Sequence, residues 1–434
     1  MNGSYRCLML AFSVLLASAV DALVNPAKAI EQEVTDPVGT SASFGDAIAV
    51  TTEGLALIGA PADLRGASGS PQGKVFAYQK IAGSWVLTQT ILCPENVPPP
   101  QFGHAIAIDG NTAVIGANTY SDPQTNDAIG RAYVYTYASG TWTLSATLSA
   151  AAPVPQDLFG NAVAIQDGTI MVGAPRAYIP GGQHGPGSVF VFTRAANGTW
   201  SQSQALTASN GQVKDEFGYA VSFSRGYAII GAPKLLAASP GAVYVFRLTS
   251  GAWVETYELL SPNSFASDDF GASVAIRAGL AVVGAPAVEV SSNSEQGAAY
   301  VLELIGSTWT ETQTLTTALG QGAPRDHFGA SVDIDGTKLI VGRPRDSTQQ
   351  GMTYQGTAQV YAEAPDGTFV STEGLVAAHG AAQNHFGAAV AFAKSATNSL
   401  NRPSGEPFEV AIGAPNTQDA SGNVTGAVYF YDGL

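Results

Sequence analysis

The sequence predicts an all-β protein: a seven-bladed β-propeller of four-stranded blades, its ring closed by a strand from the mature N-terminus that completes the last blade. Three observations predict it. Phe-Gly pairs that open strand-like runs recur at Phe44, Phe102, Phe159, Phe217, Phe270, Phe328 and Phe386, 53 to 58 residues apart, a period that marks solenoids and propellers. Each pair is followed by Gly-Ala-Pro or a relative of it, beginning at Gly59, Gly116, Gly173, Gly231, Gly284, Gly342 and Gly413. The interval from Phe to Gly is 14 residues in five units, 15 in the first and 27 in the last. Glycine is abundant, charged residues make up only 12% of the 434, and no long stretch carries helical periodicity.

The third unit shows how each element is read. Phe159-Gly160 opens AVAI, a turn at Gln166-Asp167-Gly168 leads to TIMVG and the Pro, and Ser188 to Phe192 and Trp200 to Leu206 complete four strands. A glycine between two apolar runs signals a hairpin, because the tight turn needs positive φ. The same slot holds Gly54, Gly110, Gly168, Gly226, Gly279 and Gly336. The first three strands are apolar on both faces, whereas the fourth alternates with Ser, Thr and Gln, so burial should fall outward. That gradient describes a blade whose inner strands are sandwiched between neighbours. Trp85, Trp142, Trp200, Trp253 and Trp309, with Phe369 in the same slot, open the fourth strand and are read as part of the blade.

The two ends of the chain belong together. Residues 1–29 read as an export signal, since Arg6 precedes an apolar run, Leu8 to Val20, that matches a signal core and is too short for a membrane span of roughly 20 residues. Cleavage sites of the small-x-small kind lie at Ala17-Ser18-Ala19 and Ala27-Lys28-Ala29. The last unit lacks a fourth strand, and residues 30–34 are expected to supply it, because Val34 precedes Phe44 by the interval at which Leu92 precedes Phe102. Such closure removes two open sheet edges. The propeller is therefore expected over 30–434, in a secreted, periplasmic or cell-surface protein without membrane insertion. Cys7 falls in the signal, which leaves Cys93 alone and expected to be buried as a small apolar residue. A formal net charge of −15 disfavours nucleic acid and anionic lipid as partners.

The ordered run of Phe-Gly, Gly-Ala-Pro and a Gly-x-Val-Tyr-Val-Phe-like strand resembles the FG-GAP repeat, the unit of the integrin α-subunit N-terminal propeller. The resemblance implies seven blades whose loops before Phe-Gly and after Gly-Ala-Pro gather on one face that binds protein partners. It also implies that Phe44, Phe102, Phe159, Phe217, Phe270, Phe328 and Phe386 surround the central channel there. Calcium is not carried over. Integrin propellers hold it in loops of the form Asp-x-Asp-x-Asp-Gly-x-x-Asp, and the ion needs about six to eight oxygens. The corresponding turns here are short and poor in carboxylates, with only the fragment Asp333-x-Asp335-Gly336. No metal and no cofactor are expected.

Asp157, Asp215, Asp268 and Asp326 stand two residues before their Phe, with Asn384 in the last copy; a carboxylate there is expected to accept backbone N–H groups and fix the turn. His327 and His385 precede Phe in adjacent units, and with Asp326 they offer the donor types of a transition-metal site, although irregular surface histidines are the simpler reading. Gly-x-Ser-x-Gly, His-Glu-x-x-His, a phosphate loop and Cys-x-x-Cys are all missing. The loops after Gly-Ala-Pro differ in every unit and carry Arg65, Tyr120, Arg176, Tyr178, His184, Arg345 and Tyr354. Arg and Tyr are favoured at interfaces, and variable loops on a rigid scaffold commonly bind. The expected function is non-catalytic recognition, by a monomer, of an extracellular or cell-surface protein, with a glycan second. One alternative is a polysaccharide lyase or glycosidase over the channel, which would cluster Asp326, His327, His385 and Arg345. The other is a structural surface or matrix protein.

Overall fold

The computed structural model describes residues 32–39, 43–62, 72–95, 101–125, 127–177, 185–234, 240–262, 268–317, 322–347, 354–377, 381–394, 408–419 and 421–434. The expected signal at 1–29 lies outside them, as do Ile30, Glu31, Arg65, Tyr178, His184 and the insertion after Lys394 as far as Glu406. Among the described residues there is no helix, and the strands form seven antiparallel sheets of four. The third blade runs Ala162–Gln166, Thr169–Ala174, Ser188–Arg194 and Trp200–Leu206 in spatial order. Its second strand is buried along nearly its whole length and its fourth is half-buried on alternate residues up to the buried Leu206, so burial falls outward from the second strand as expected. The first strand departs from the expected gradient, being half-buried throughout, because it faces the central cavity. The pairing slips by one residue between Val191 and Phe192, and five other blades slip between their third and fourth strands at the matching place. One extra residue on the outer strand increases its twist.

The ring closes as expected. Gln32–Thr35 pairs antiparallel with Ala427–Asp432, with Val34 opposite Val428, and becomes the outer strand of the seventh blade. First strands of adjacent blades lie against one another all round, the seventh against the first included. The interior is not one core. It consists of seven hydrophobic clusters, each drawn from two neighbouring blades, so every blade depends on both neighbours for burial of its faces. Cys93 is buried between the first and second blades, with Sγ 3.9 Å from the Tyr133 hydroxyl.

The repeated glycines lock the blades together through backbone contacts. In each blade the Phe-Gly glycine donates its N–H to the carbonyl of the Gly-Ala-Pro glycine, as Gly160 does to Gly173 at 3.0 Å. That same Gly-Ala-Pro glycine lies against the Phe-Gly carbonyl of the next blade: a β-carbon on Gly116 would stand 3.1 Å from the carbonyl carbon of Gly160 and closer still to its oxygen. Gly413 of the last blade meets Gly45 of the first in the same way. Both motifs are therefore steric requirements of close backbone approach.

Candidate functional site

Both motifs lie at one end of every blade, and a single repeated hydrogen bond decides which side chains meet there. In the third to seventh blades the carbonyl two residues before Phe accepts the N–H of the residue that follows Gly-Ala-Pro: Asp157 from Arg176 at 3.3 Å, Asp215 from Lys234 at 3.2 Å, Asp268 from Ala287 at 3.3 Å, Asp326 from Arg345 at 3.2 Å and Asn384 from Asn416 at 3.3 Å. The residue after the motif is thereby set beside the residue just before Phe. The residues just before Phe are Ser43, Gln101, Leu158, Glu216, Asp269, His327 and His385, and all seven have positive φ, between 48° and 80°. A non-glycine residue there costs about 1–3 kcal/mol, and such strain gathers at functional sites.

The turn carboxylates behave as expected. Asp157, Asp215 and Asp326 are buried and accept the N–H three residues earlier, from Val154 at 2.9 Å, Gln212 at 2.7 Å and Ala323 at 2.6 Å. Asp268 accepts from Phe270 and Gly241. The Asn384 amide, oriented with its oxygen towards the Ala381 N–H, accepts from that N–H and donates to the Ala381 carbonyl.

On this frame the later blades carry a connected arc of polar side chains. Arg345 Nη1 lies 3.3 Å from His327 Nε2, and the same imidazole nitrogen is 3.4 Å from Glu295, which Arg325 approaches at 3.7 Å. In the next blade Asn416 Nδ2 lies 3.1 Å from His385 Nδ1, and the Tyr354 ring stands edge-on to His385 at 6.3 Å. Burial lowers the pKa of both histidines, and the positive charge of Arg345 lowers it further. Towards the fourth blade Arg176 faces Glu216 at 3.9 Å. Asp269 is pushed up to about 6 by burial, then by Asp268, Glu216 and Glu295. Beneath the arc, buried Arg343 bridges Asp326 at 3.6 Å and Asp346.

Two expectations are corrected. The seven Phe rings do not surround the channel. Each is at most 2% exposed and sits in the cluster between the blade it opens and the blade before it. Six of the rings pack edge-on or tilted against an aromatic residue of the third strand, as Phe102 does on Tyr133 at 5.6 Å and Phe270 on Tyr300 at 5.3 Å, while the sixth blade has Gln359 in the matching place. The reason is backbone pairing: Phe159, for example, is bridged to Gly130 of the preceding blade, which holds the ring between the two sheets. The channel, a cavity of about 270 Å³, is lined instead by first-strand residues of all seven blades, among them Ile48, Ile106, Ile165, Phe223, Ile276 and Phe392. Tyr120 is the second correction. It is 2% exposed, with the Arg131 guanidinium 4.0 Å above its ring, so it packs within its loop and presents no surface.

Of the remaining sites, Arg176, Arg345 and Tyr354 lie on the arc. His327, His385 and Arg345 come together; Asp326 does not join them at the surface, and none of the four lines the channel. Asp333 accepts from Lys394 Nζ at 2.7 Å and Phe392 N–H at 2.9 Å, and Asp335 pairs with Arg277 at 2.7 Å. Among the described residues no group of three His, Cys, Asp or Glu is placed to hold a metal ion.

Sequence reasoning missed Glu216 and Asp269, although they occupy the slot that drew attention to His327 and His385. It also missed a clamp on the outer rim. The Gln89 side chain bonds both the N–H and the carbonyl of Trp142 in the next blade, at 2.8 and 2.9 Å, and Gln32 with Trp85, Gln204 with Trp253 and Gln313 with Phe369 repeat the pair. The signal was present as Trp-x-x-x-Gln at Trp85, Trp200 and Trp309.

A family model described as FG-GAP repeat matches residues 85–135, 142–192, 200–246, 253–302 and 309–361. Each matched stretch starts at one of the five tryptophans, so it runs from the outer strand of one blade to the third strand of the next. No curated protein matches the chain. Among solved structures, a chain from the crystal structure of the mitotic checkpoint complex aligns over 99% of this chain and 96% of its own length, with 10% identity and a TM-score of 0.53. That is a likeness of fold alone.

Proposed function

The chain belongs to the FG-GAP repeat family, and from that premise we propose that it is an exported, non-catalytic binding module that engages an extracellular or cell-surface protein, with a glycan second, through its Phe-Gly and Gly-Ala-Pro face. One observation carries the reading. The backbone of this face is the same in blade after blade, yet the paired slots it presents hold Lys234 beside Glu216, Ala287 beside Asp269, Arg345 beside His327 and Asn416 beside His385. A rigid frame with varied side chains suits recognition, and the left-handed backbone of the slot is tolerated in all seven blades.

The test is retention on arrays of extracellular proteins and of glycans, with residues 30–434 as bait, with and without EDTA. A specific partner that survives EDTA, is lost in a His327→Ala/Arg345→Ala double variant and is kept by Arg225→Ala, in a hairpin at the opposite end of the blades, supports the reading. Equal loss in both variants contradicts it. The contact of His327 with Arg345 favours a second reading, a lyase-type enzyme with a base beside a neutralising Arg. Turnover of an acidic polysaccharide by the parent and not by the double variant would establish it instead. The binding reading is preferred because His327 Nε2 already faces both Glu295 and Arg345, and Asp326 is buried against Ala323 and Arg343.

A further inference from the structure

We propose that the Arg345 guanidinium, in contact with His327, is the docking point for a carboxylate of the partner. The inference rests on reading this face as the binding face, and it names the chemistry the face receives. Three other arginines on it confront carboxylates: Arg176 faces Glu216, Arg325 faces Glu295, and Arg343 bridges Asp326 and Asp346. Arg345 does not. Among the described residues its side chain meets only an imidazole nitrogen, and the loop that follows, residues 347–354, contains no Asp or Glu. The side chain is half-buried, so water compensates its charge incompletely.

The surroundings suit a carboxylate. Guanidinium presents a planar fork of donors that matches two carboxylate oxygens. His327, which meets it, and His385, near enough to feel its charge, are further donors once protonated, and they are positioned by contacts to Glu295 and to Asn416. Tyr354 packs edge-on against His385. The charged and titratable groups facing the two imidazoles are Arg345, Arg325, Glu295 and Tyr354, over the buried Arg343, Asp326 and Asp346. A carboxylate arriving at Arg345 would offset the positive charge that now disfavours the imidazolium forms. In a chain of net charge −15 general attraction does not bring anions to the surface, so binding here must be local.

Two probes separate the sources of the carboxylate: oligogalacturonate for a glycan and a glutamate-rich peptide for a protein. A neutral oligosaccharide and the glutamine version of the peptide serve as controls. The readout is the imidazole NMR signals of the full mature chain, assigned with His327→Gln and His385→Gln. One carboxylate probe should shift both signals saturably and raise both pKa values, and its control should not. Arg345→Ala should weaken that binding roughly tenfold or more with an unchanged melting temperature, and Arg345→Lys should fall between. Signals that stay fixed with both probes, or an Arg345→Ala variant that binds like the parent, overturn the proposal. Array retention keeps the two readings apart. A partner lost on Glu216→Ala/Lys234→Ala but held by Arg345→Ala leaves the binding face standing and removes the carboxylate dock.

Discussion

Gly413→Ala tests the physical meaning of the repeat where the ring is joined. Gly413 sits in the second strand of the seventh blade, and its φ lies outside the left-handed region. Alanine is therefore conformationally acceptable and by propensity would add stability of about 0.5–1 kcal/mol. Sterically it is not acceptable. The added carbon would stand 3.0 Å from the carbonyl carbon of Gly45 and closer to its oxygen, while carbon–carbon contacts settle at about 3.5–4.0 Å. The seam must open by at least about half an ångström, against the Gly45 N–H bond to Gly59 at 2.9 Å and the packing of Phe44, Val428 and Phe430. Overpacking of this kind costs about 1–3 kcal/mol. Denaturant unfolding should show that loss, and hydrogen exchange should accelerate in peptides covering 32–35, 43–50 and 427–432. Gly374→Ala, on the outer strand of the sixth blade with its nearest neighbour at 3.4 Å, should stay within about 0.5 kcal/mol of the parent. Equal stability of the two variants would refute the argument that backbone contact is what the motif glycines provide.

Other predictions follow from the same geometry. A chain begun after Val34 loses the buried Val34 side chain and the Gln32 clamp on Trp85 and bares the edge of Ala427–Asp432; its melting temperature should fall and self-association rise, and an unchanged melting temperature would contradict the closure. Gln313→Ala removes two hydrogen bonds to the Phe369 backbone and should cost about 1–3 kcal/mol, additive with Gln89→Ala two blades and more away; strong coupling between them would contradict independent clamps. Asp269, pushed up from 3.8 to about 6, takes up a proton in the folded state before it does so in the unfolded chain. Stability therefore rises as pH falls through that window, and Asp269→Asn should exceed the parent at neutral pH and converge with it near pH 4. His327 and His385, lowered from 6.5, act with the opposite sign, so His327→Gln should lessen the stability lost as pH falls below about 6.5. Equilibrium unfolding across that range checks both.

The fold was legible because its determinants repeat: a period, a turn glycine and an alternating outer strand recur until chance is excluded, and the missing last strand points to the other terminus. The Phe rings were misplaced for a reason also visible in the chain. Phe76, Tyr133, Phe190, Tyr244, Tyr300 and Tyr429 recur in six of the seven units, Gln359 standing in the sixth, and an aromatic repeated in register with another is a packing pair, as the ring contacts bear out. Tyr120 misled because its burial depends on Arg131, brought over it by a loop of unpredictable path. The arc was half legible. Histidines drew attention by their rarity, whereas Glu216 and Asp269 in the same slot looked ordinary, and their pairing with residues after Gly-Ala-Pro needs a hydrogen bond between segments 18 or 19 residues apart.

The strained slot sharpens the division between scaffold and site. Glycine would adopt the left-handed conformation before each Phe without cost, and the sequence uses it freely at the turns, yet none of the seven slots holds glycine. If side chains there served only the fold, glycine would serve better. His327→Gly should therefore raise stability by about 1 kcal/mol while abolishing whatever Arg345 and His327 bind together. His327→Ala, which keeps the strain and loses the ring, should bind as poorly without that gain. A glycine variant that is both less stable and fully active would mean the imidazole is there to hold the loop. A variant more stable and inactive would identify the strain as the cost of presenting a side chain to a partner, repeated around a ring whose backbone is otherwise indifferent to what it displays.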